Sequence, residues 1–317
     1  MTAPRARHIT DPRDFGRVAV LLGGASAERE ISLMSGQAVL AALREREVDA
    51  HPVDPRDGIE ALINGGFDRA CIMLHGRDGE DGTIQGLLQL VGIPYTGSGV
   101  LGSALLMDKL RTKRVWQAIG LPTPEYAHVH NVDELRAFVA EVGYPIAVKP
   151  AREGSSIGVT RLAADKDIEA AYAAARERDD SVIAERWVTG GEYFCSILDG
   201  EALPMVRMET PHEFYDYQAK YFSDDTRYHC PCGLSETQER EIAAMCLRAF
   251  EAVGGSGWGR MDFILDKHGE PWLIEGNTIP GMTSHSLVPM SAKAVGIDFG
   301  ELCWRILETS FVDRRAV

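Results

Sequence analysis

The most informative stretch of the chain is WLIEGNTIPGM at residues 272–282, read together with GRMDFIL at residues 259–265. Two apolar runs, at 263–265 and 272–274, flank the turn-rich segment DKHGEP, and this pattern is typical of a β-hairpin with a short loop. The hairpin is expected to place Asp262 at the start of one strand and Glu275 and Asn277 at the end of the other. Hard oxygen ligands of this kind are what Mg²⁺ prefers. The stretch therefore predicts a magnesium site, with an exposed hairpin that has ordinary polar ends as the alternative.

Composition places the chain among ordinary globular proteins of two or three domains. It has 317 residues, of which 45% are hydrophobic and 25% are charged, so it is long enough to bury a sizeable core. The formal net charge of −14 argues against nucleic-acid and anionic-membrane partners, because such partners require a basic surface. No window approaches the roughly 18 apolar residues of a membrane span. We therefore expect neither a nucleic acid nor a membrane as a partner.

The N-terminal residues and the cysteines bear on cellular location. Residues 1–16 contain charges and prolines but no apolar run, so a disordered tail is expected there rather than a signal peptide. Six cysteines are scattered along the chain, which indicates reduced thiols and a cytoplasmic location. The cluster of His229, Cys230 and Cys232 could begin a zinc site, but no second ligand pair follows at the spacing of such sites.

The order of apolar and amphipathic segments predicts an α/β protein of three domains. Residues 17–22 (RVAVLL) form a short apolar run, and strand-like and helix-like segments then alternate up to the glycine-rich residues 92–102. Such βαβ alternation is typical of a parallel sheet. We expect an N-terminal parallel α/β domain at 17–102, a central α+β domain at 103–188 and a C-terminal antiparallel-sheet domain at 189–317.

Residues 149–158, KPAREGSSIG, are the strongest candidate for a phosphate-binding segment. A lysine at the end of a strand, followed by a loop of small residues, can hold a polyphosphate with its ammonium and with backbone N–H groups. Glu185 and Glu192 bracket ERWVTGGE, where acidic side chains can bind an adenine amine and ribose hydroxyls. The alternatives are a plain turn with an exposed lysine and two solvated glutamates.

Other nucleotide-binding patterns are weaker or missing. A Walker A loop is absent from the sequence. GSGVLG at residues 97–102 matches the dinucleotide-binding pattern, but no acidic residue follows at the required distance in a clear second strand. We therefore interpret this segment as a turn at a domain boundary.

Nine blocks occur together along almost the whole chain, from about residue 17 to residue 307. The chain resembles the D-alanine–D-alanine ligases, which are ATP-grasp enzymes of peptidoglycan precursor synthesis. Besides GRMDFIL, KPAREGSSIG and ERWVTGGE, the matching blocks are LLGGASAEREISLMSG (21–36), HGRDGEDGTIQG (75–86), YTGSG (95–99), MDKLRTK (107–113), FYDYQAKY (214–221) and IEGNTIPGMTSHSLVP (274–289).

The resemblance implies an ATP-grasp fold in which ATP lies between the central and C-terminal domains. It implies that Lys220 reaches the γ-phosphate. Because an acylphosphate must be shielded from water, we expect residues 215–233, rich in Tyr and Asp, to form a mobile lid, in which Cys230 and Cys232 would be exposed before ligands bind. The nucleotide-binding residues that it implies are Lys109, Lys149, Ser156, Glu185, Arg186, Trp187, Val188, Glu192 and Lys220. The implied ligands of two Mg²⁺ (or Mn²⁺) ions are Asp262, Glu275 and Asn277.

The resemblance also implies how two D-alanine molecules are held. Glu28 would bind the ammonium of the first D-alanine, in a region that also contains His75. Arg260 and the backbone N–H of Gly281 would form the oxyanion site. The implied remaining groups are Ser155 and Tyr221, which orient Glu28, and Ser286 with the Leu287 N–H, which hold the second carboxylate.

Two alternatives stay open beside a ligase that makes D-alanyl-D-alanine. One is a ligase of the same family that joins D-alanine to D-lactate or D-serine. The other is a non-catalytic module that binds a nucleotide or an amino acid. The family resemblance further implies a homodimer.

Overall fold

The computed structural model describes residues 7–154, 157–209, 226–283 and 286–312. Its strands form three sheets, each built from one continuous part of the chain. The strands are β1 (Val18–Leu21), β2 (Ala50–Val53), β3 (Arg69–Ile72), β4 (Tyr126–Val129), β5 (Ile146–Pro150), β6 (Thr160–Leu162), β7 (Val182–Arg186), β8 (Gly190–Leu198), β9 (Glu201–Ala202), β10 (Val206–Glu209), β11 (Arg227–His229), β12 (Trp258–Asp266) and β13 (Pro271–Asn277).

The first sheet is parallel and the third is antiparallel, as predicted, and the sheet of the central part is also antiparallel. The N-terminal sheet has the order β2-β1-β3, and every residue of β1 and β3 is buried. Burial of whole strands is typical of parallel sheets that are covered on both faces. The second sheet has the order β4-β7-β5-β6, and the third has the order β11-β10-β8-β12-β13 with β9 paired to β8.

Four helices of the described ranges begin at polar side chains that accept backbone N–H groups. Ser235 forms a capping box with Gln238, and Asp108 accepts from the N–H of Arg111. The helices are α1 (Arg29–Glu45), α2 (Glu60–Asn64), α3 (Thr83–Val91), α4 (Val100–Met107), α5 (Lys109–Ala118), α6 (Val132–Val142), α7 (Ile168–Arg178), α8 (Glu236–Ala252), α9 (Leu287–Ala294) and α10 (Phe299–Glu308).

The glycine-rich stretch at residues 97–102 is part of a packed helix start rather than only a turn. Helix α4 already begins at Val100 and lies against the end of α8. A Cβ at position 102 would lie 2.1 Å from the carbonyl oxygen of Gly254, so no larger residue fits there. Close packing of two backbones therefore accounts for Gly102 without a dinucleotide.

The packed cores are shared between distant parts of the chain. Helices α9 and α10, from the end of the chain, contribute Val288, Leu302 and Ile306 to the core around the N-terminal sheet. Trp116 of α5 packs in the core of the C-terminal sheet and donates its indole N–H to the carbonyl of Ala249 at 2.9 Å. Side chains from both sides of residues 102 and 188 pack in the same cores. The domain boundaries expected at these two positions therefore remain a prediction.

The expectation of a disordered tail at residues 1–16 is wrong for residues 7–16, and residues 1–6 lie outside the described part. A short 3₁₀ helix spans Pro12–Phe15, and Ile9 and Phe15 are buried. The Phe15 ring contacts Trp304 edge to face, with ring centroids 4.8 Å apart. Two apolar side chains that fit into the core therefore order a segment whose overall composition is polar.

The thiols expected to be exposed are also placed differently. Cys232 is buried in the core beside α8, and Cys230 is half-buried. Residues 227–229, expected in the lid, pair with β10 as strand β11. Residues 215–225 of that lid lie outside the described residues. No helix within the described ranges is both long and apolar enough to span a bilayer.

We expect Phe15→Ala to lower the free energy of unfolding by about 3–5 kcal/mol, because a fully buried aromatic side chain is replaced by a cavity. Urea denaturation of the variant and the original protein measures the difference. Arg13→Ala is the matched control, since Arg13 lies in the same segment and its side chain is 88% exposed. A loss for Phe15→Ala no larger than that of the control would contradict the packing of this segment.

Candidate active site

The predicted hairpin is present, and it brings Asp262 and Glu275 side by side. Strand β12 pairs with β13 so that Asp262 lies opposite Glu275 and Arg260 lies opposite Asn277. The expectation that Asp262 begins its strand is wrong, because β12 starts at Trp258 and pairs along its whole length with β8. Asp262 is therefore held in the middle of a sheet rather than at a strand end.

A β-bulge directs the two carboxylates into the same space. Asp262 pairs with Glu275 while the next residue, Phe263, pairs with Leu273, so Ile274 is left without a partner. Residues two apart on a regular strand share a face, whereas an inserted residue breaks this alternation. Leu273 is consequently buried in the core, and Glu275 lines a cavity together with Asp262.

Each of these carboxylates has a cation beside it. Arg260 donates to both oxygens of Asp262, with Nε to Oδ1 at 2.6 Å and an Nη to Oδ2 at 2.7 Å. Lys109 Nζ lies 3.1 Å from Oε2 of Glu275 and donates to the carbonyl oxygen of Glu153 at 2.7 Å. Burial acts to lower the pKa of Lys109, but Glu275 outweighs burial and the net pKa is raised. Lys109 is therefore held as a cation at the cavity.

A second charged cluster is centred on Glu185 of β7. Lys149 Nζ donates to Glu185 Oε1 at 2.8 Å, and Lys113 Nζ lies 2.5 Å from Oε2. Burial acts to raise the pKa of Glu185, but the two lysines lower it below the ordinary value. Burial lowers the pKa of Lys113 to about 8, although Glu185 opposes this shift. The cluster therefore contains one carboxylate between two buried ammonium groups.

A cavity of about 460 Å³ lies between the two antiparallel sheets, and both clusters border it. Apolar side chains, among them Val188, Met208 and Ile264, form part of its wall. The structure brings many of the predicted site residues together on this cavity, namely Lys109, Lys149, Glu185, Arg186, Trp187, Val188, Glu192, Asp262 and Glu275. Polar groups of both signs beside apolar walls can bind a ligand that has a flat ring and anionic groups.

The residues predicted for a first amino-acid substrate form a neighbouring group. Glu28 is buried and lies beside Gly76 and Gly154, where a Cβ would come within 2.8 and 3.0 Å of its carboxylate. Gly76 has a φ of +70°, so both its conformation and its surroundings require glycine. His75 Nε2 lies 3.1 Å from Ser35 Oγ, and burial lowers the pKa of His75 against the attraction of Glu28.

The residues predicted for a second carboxylate lie together at the start of α9. Ser286 Oγ accepts from the N–H of Thr283 at 2.9 Å, and a Cβ at position 281 would lie 2.9 Å from that same oxygen. Leu287 is the first residue of α9. Arg260 acts electrostatically on His75 and Glu80, so it links the neighbouring group around Glu28 to the Asp262 pair.

Four predicted site residues, Ser155, Ser156, Lys220 and Tyr221, lie outside the described residues. Asn277 accepts the N–H of Ile279 through Oδ1 at 2.9 Å and does not line the cavity. Within the described ranges, no three His, Cys, Asp or Glu side chains form a group suited to a metal ion. The predicted metal trio contains only two carboxylates, and its third member is an amide.

Sequence reasoning missed two buried charged residues of the site. Lys113 follows Lys109 by four positions, which places both lysines on one side of α5, and this spacing was the available signal. Glu80 lies inside the block HGRDGEDG and accepts the N–H of Gly76 at 2.7 Å. Burial, with a contribution from Glu28, raises the pKa of Glu80 to about 8.

Comparison with known proteins places these features in a family. The model "D-ala D-ala ligase C-terminus" matches residues 115–308, and "D-ala D-ala ligase N-terminus" matches residues 55–98. A D-alanine–D-alanine ligase of Alkalilimnicola ehrlichii is 59% identical over 293 residues, which cover 92% of this chain and 94% of that protein.

Solved structures agree with the sequence comparisons. The D-alanine–D-alanine ligase of Bacillus anthracis complexed with ATP is similar with a TM-score of 0.83 and 31% identity, covering 95% of this chain and 99% of that one. The VanG D-Ala:D-Ser ligase of Enterococcus faecalis is similar with a TM-score of 0.81 and 29% identity, covering 93% and 99%.

The raised pKa of Glu80 predicts a dependence of stability on pH. Between the ordinary pKa of 4.5 and the folded value of about 8, the folded protein binds more protons at Glu80 than the unfolded chain does. The free energy of unfolding contributed by this group therefore falls as pH rises through that range. Because glutamine does not ionise, we expect Glu80→Gln to lose less stability than the original protein between about pH 5 and about pH 8.

Urea denaturation at about pH 5 and at about pH 8 measures how much stability Glu80→Gln and the original protein each lose. Glu141→Gln is the control, since Glu141 is an exposed glutamate. The same loss of stability in Glu80→Gln as in the original protein would contradict the buried, protonated state of Glu80.

Proposed function

Since this chain belongs to the D-alanine–D-alanine ligase family, we propose that it joins two D-alanine molecules into D-alanyl-D-alanine and converts ATP into ADP and phosphate. The product serves peptidoglycan precursor synthesis. The observation that carries the proposal is the cavity between the two antiparallel sheets, which is lined by Lys109, Lys149 and the Asp262–Glu275 pair. It has the size and the mixed lining expected of a nucleotide site.

ATP binds in this cavity with its adenine toward the connection between β7 and β8. Trp187, Val188 and Ile264 supply apolar surface there, while Glu185 and Glu192 supply carboxylates for the amine and the ribose hydroxyls. Lys109 and Lys149 place ammonium groups at the same cavity for the phosphates. Lys220 and Ser156 complete the phosphate contacts in this proposal, although both lie outside the described residues.

The residues around Asp262 suit two Mg²⁺ or Mn²⁺ ions. Asp262 and Glu275 form a cross-strand pair at the cavity, and Asn277 is two residues further along β13, where regular alternation gives it the same face as Glu275. Carboxylate and amide oxygens are hard ligands, and Arg260 and Lys109 now neutralise the carboxylates as bound cations would. Such ions, when bound, offset the negative charge of the polyphosphate.

The remaining residues bind and orient the two amino acids. A free carboxylate is a poor electrophile, so ATP phosphorylates the first D-alanine to an acylphosphate, which the amine of the second D-alanine attacks. Glu28 binds the first ammonium near His75, while Ser155 and Tyr221 orient Glu28. Arg260 and the Gly281 N–H stabilise the oxyanion that develops, and Ser286 and the Leu287 N–H bind the second carboxylate.

The closest competing function is ligation of D-alanine to D-serine or D-lactate, and the similarity to a D-Ala:D-Ser ligase keeps it open. A non-catalytic binding module is disfavoured because Lys109, Lys149 and the carboxylate pair are all present on one cavity.

Phosphate release with ATP and Mg²⁺ should require D-alanine, and L-alanine should not replace it. Mass spectrometry should detect D-alanyl-D-alanine as the product. If the main product contains lactate or serine instead, the proposed activity is wrong and the competing ligation is the activity of this chain.

We also propose a homodimer that works in the cytoplasm, where ATP is available. Leu90 on α3 is 88% exposed and Leu101 on the adjacent α4 is 67% exposed, which provides apolar surface for a second copy. Nucleic acid and membrane are not expected as partners of a chain with a net charge of −14. A monomer mass in light scattering would contradict the dimer.

Asp262→Asn and Glu275→Gln should each lower phosphate release by roughly two orders of magnitude or more, because each removes an anionic ligand from a site with few protein ligands. Steady-state phosphate release at ordinary Mg²⁺ concentration measures the loss. Glu270→Gln is the matched control, since Glu270 is an exposed glutamate in the turn of the same hairpin. Turnover of either site variant at the level of the control would overturn the metal assignment.

A further inference from the structure

Lys113 is a buried cation whose role no part of the proposed reaction explains. It lies four residues after Lys109 on α5, but Lys109 lines the cavity and Lys113 does not. The Lys113 side chain is 0% exposed. A lysine without access to water needs a specific partner, because an isolated buried ammonium is costly.

Glu185 is that partner, and it is shared. The two oxygens of Glu185 are divided between Lys113 on the core side, at 2.5 Å, and Lys149 on the cavity side, at 2.8 Å. The cluster therefore has two positive charges and one negative charge. Because Lys113 already neutralises Glu185, the cluster keeps one net positive charge, and Lys149 is the cation of the cluster that borders the cavity.

Further contacts fix Lys113 in place between the two sheets. Its ammonium donates to Thr123 Oγ1 at 2.7 Å and to the carbonyl oxygen of Leu273 at 3.4 Å. Thr123 Oγ1 also donates to the Leu273 carbonyl at 2.9 Å. Leu273 belongs to β13 and Glu185 belongs to β7, so one ammonium connects the two sheets that enclose the cavity.

We propose that Lys113 is a positioning residue, which neutralises Glu185 from the core side so that Lys149 keeps its charge for the phosphates of the nucleotide. Without Lys113, both oxygens of Glu185 turn to Lys149, and the cluster loses its net positive charge. Polyphosphate binding then weakens because an attraction between opposite charges is lost in a partly desolvated site. The inference rests on the proposed nucleotide site.

The charge states agree with this geometry. Burial lowers the pKa of Lys113 to about 8, and Glu185 raises it against that effect. Burial likewise raises the pKa of Glu185, and Lys113 and Lys149 together bring it below the ordinary value. Both groups are thus mainly ionised at neutral pH, and removing Lys113 leaves Lys149 as the one lysine of the cluster that pairs with Glu185.

The test is Lys113→Met, compared with Arg114→Met, which removes an exposed cation from the next position of the same helix. The KM for ATP should rise roughly tenfold or more in Lys113→Met, while the KM for D-alanine changes by less than about twofold. Arg114→Met should match the original protein in both. An unchanged KM for ATP, or an equal rise in both KM values, overturns the proposal.

A second variant separates positioning from folding. Lys113→Met with Glu185→Gln also removes the carboxylate that would neutralise Lys149, so the cluster regains its net positive charge. The amide oxygen at position 185 still accepts a hydrogen bond, and ATP should bind more tightly than to Lys113→Met alone. If the single variant does not fold, ATP affinity of the double variant near that of Glu185→Gln alone, which has lost the same adenine-binding carboxylate, supports the proposal. ATP binding by the double variant no better than by the single variant, or lost where only the double variant folds, overturns it.

Calorimetry with ATP provides a readout that does not depend on the proposed reaction. If the original protein binds ATP but forms no dipeptide, the proposed function fails while the binding comparison still tests Lys113. If the original protein forms the dipeptide and Lys113→Met binds ATP with unchanged affinity, only the inference about Lys113 fails.

Discussion

Buried charges must be neutralised, and this requirement organises the boundary between the two antiparallel sheets. Helix α5 supplies one lysine to a carboxylate of each sheet, since Lys113 contacts Glu185 of β7 and Lys109 contacts Glu275 of β13. Removing one partner of a buried pair typically costs about 3–5 kcal/mol because the other charge stays uncompensated. The same ion pairs therefore fix the separation of the sheets and set the charge of the cavity between them.

The residues proposed to bind the first amino acid face the same constraint with the opposite charge, because they bury carboxylates together. Glu28 and Glu80 are both buried near His75, and two adjacent carboxylates resist simultaneous ionisation. The raised pKa of Glu80 lets it stay protonated beside Glu28, while Arg260 provides a positive field from the other side. A single carboxylate charge beside a buried histidine is a suitable partner for one ammonium group.

The sequence was sufficient for the sheets and the hairpin, because apolar periodicity reports which residues face a core. It was insufficient where structure depends on a distant partner. The bulge at Ile274 depends on how β13 pairs with β12. Residues 7–16 are ordered because Phe15 packs against Trp304. Lys113 follows the same rule, since its spacing from Lys109 indicates a shared side of α5, whereas its burial depends on Glu185, more than seventy residues away.

The two ends of the chain form one core, and this has a consequence for synthesis on the ribosome. Ile9 donates its N–H to Glu308 at 2.6 Å and accepts from the Trp304 indole at 3.2 Å, across almost 300 residues of sequence. The N-terminal sheet is synthesised before α9 and α10, which cover part of it. Part of the apolar surface of this sheet therefore stays uncovered until α9 and α10 are synthesised. Exposed apolar surface of this kind favours misassembly during folding.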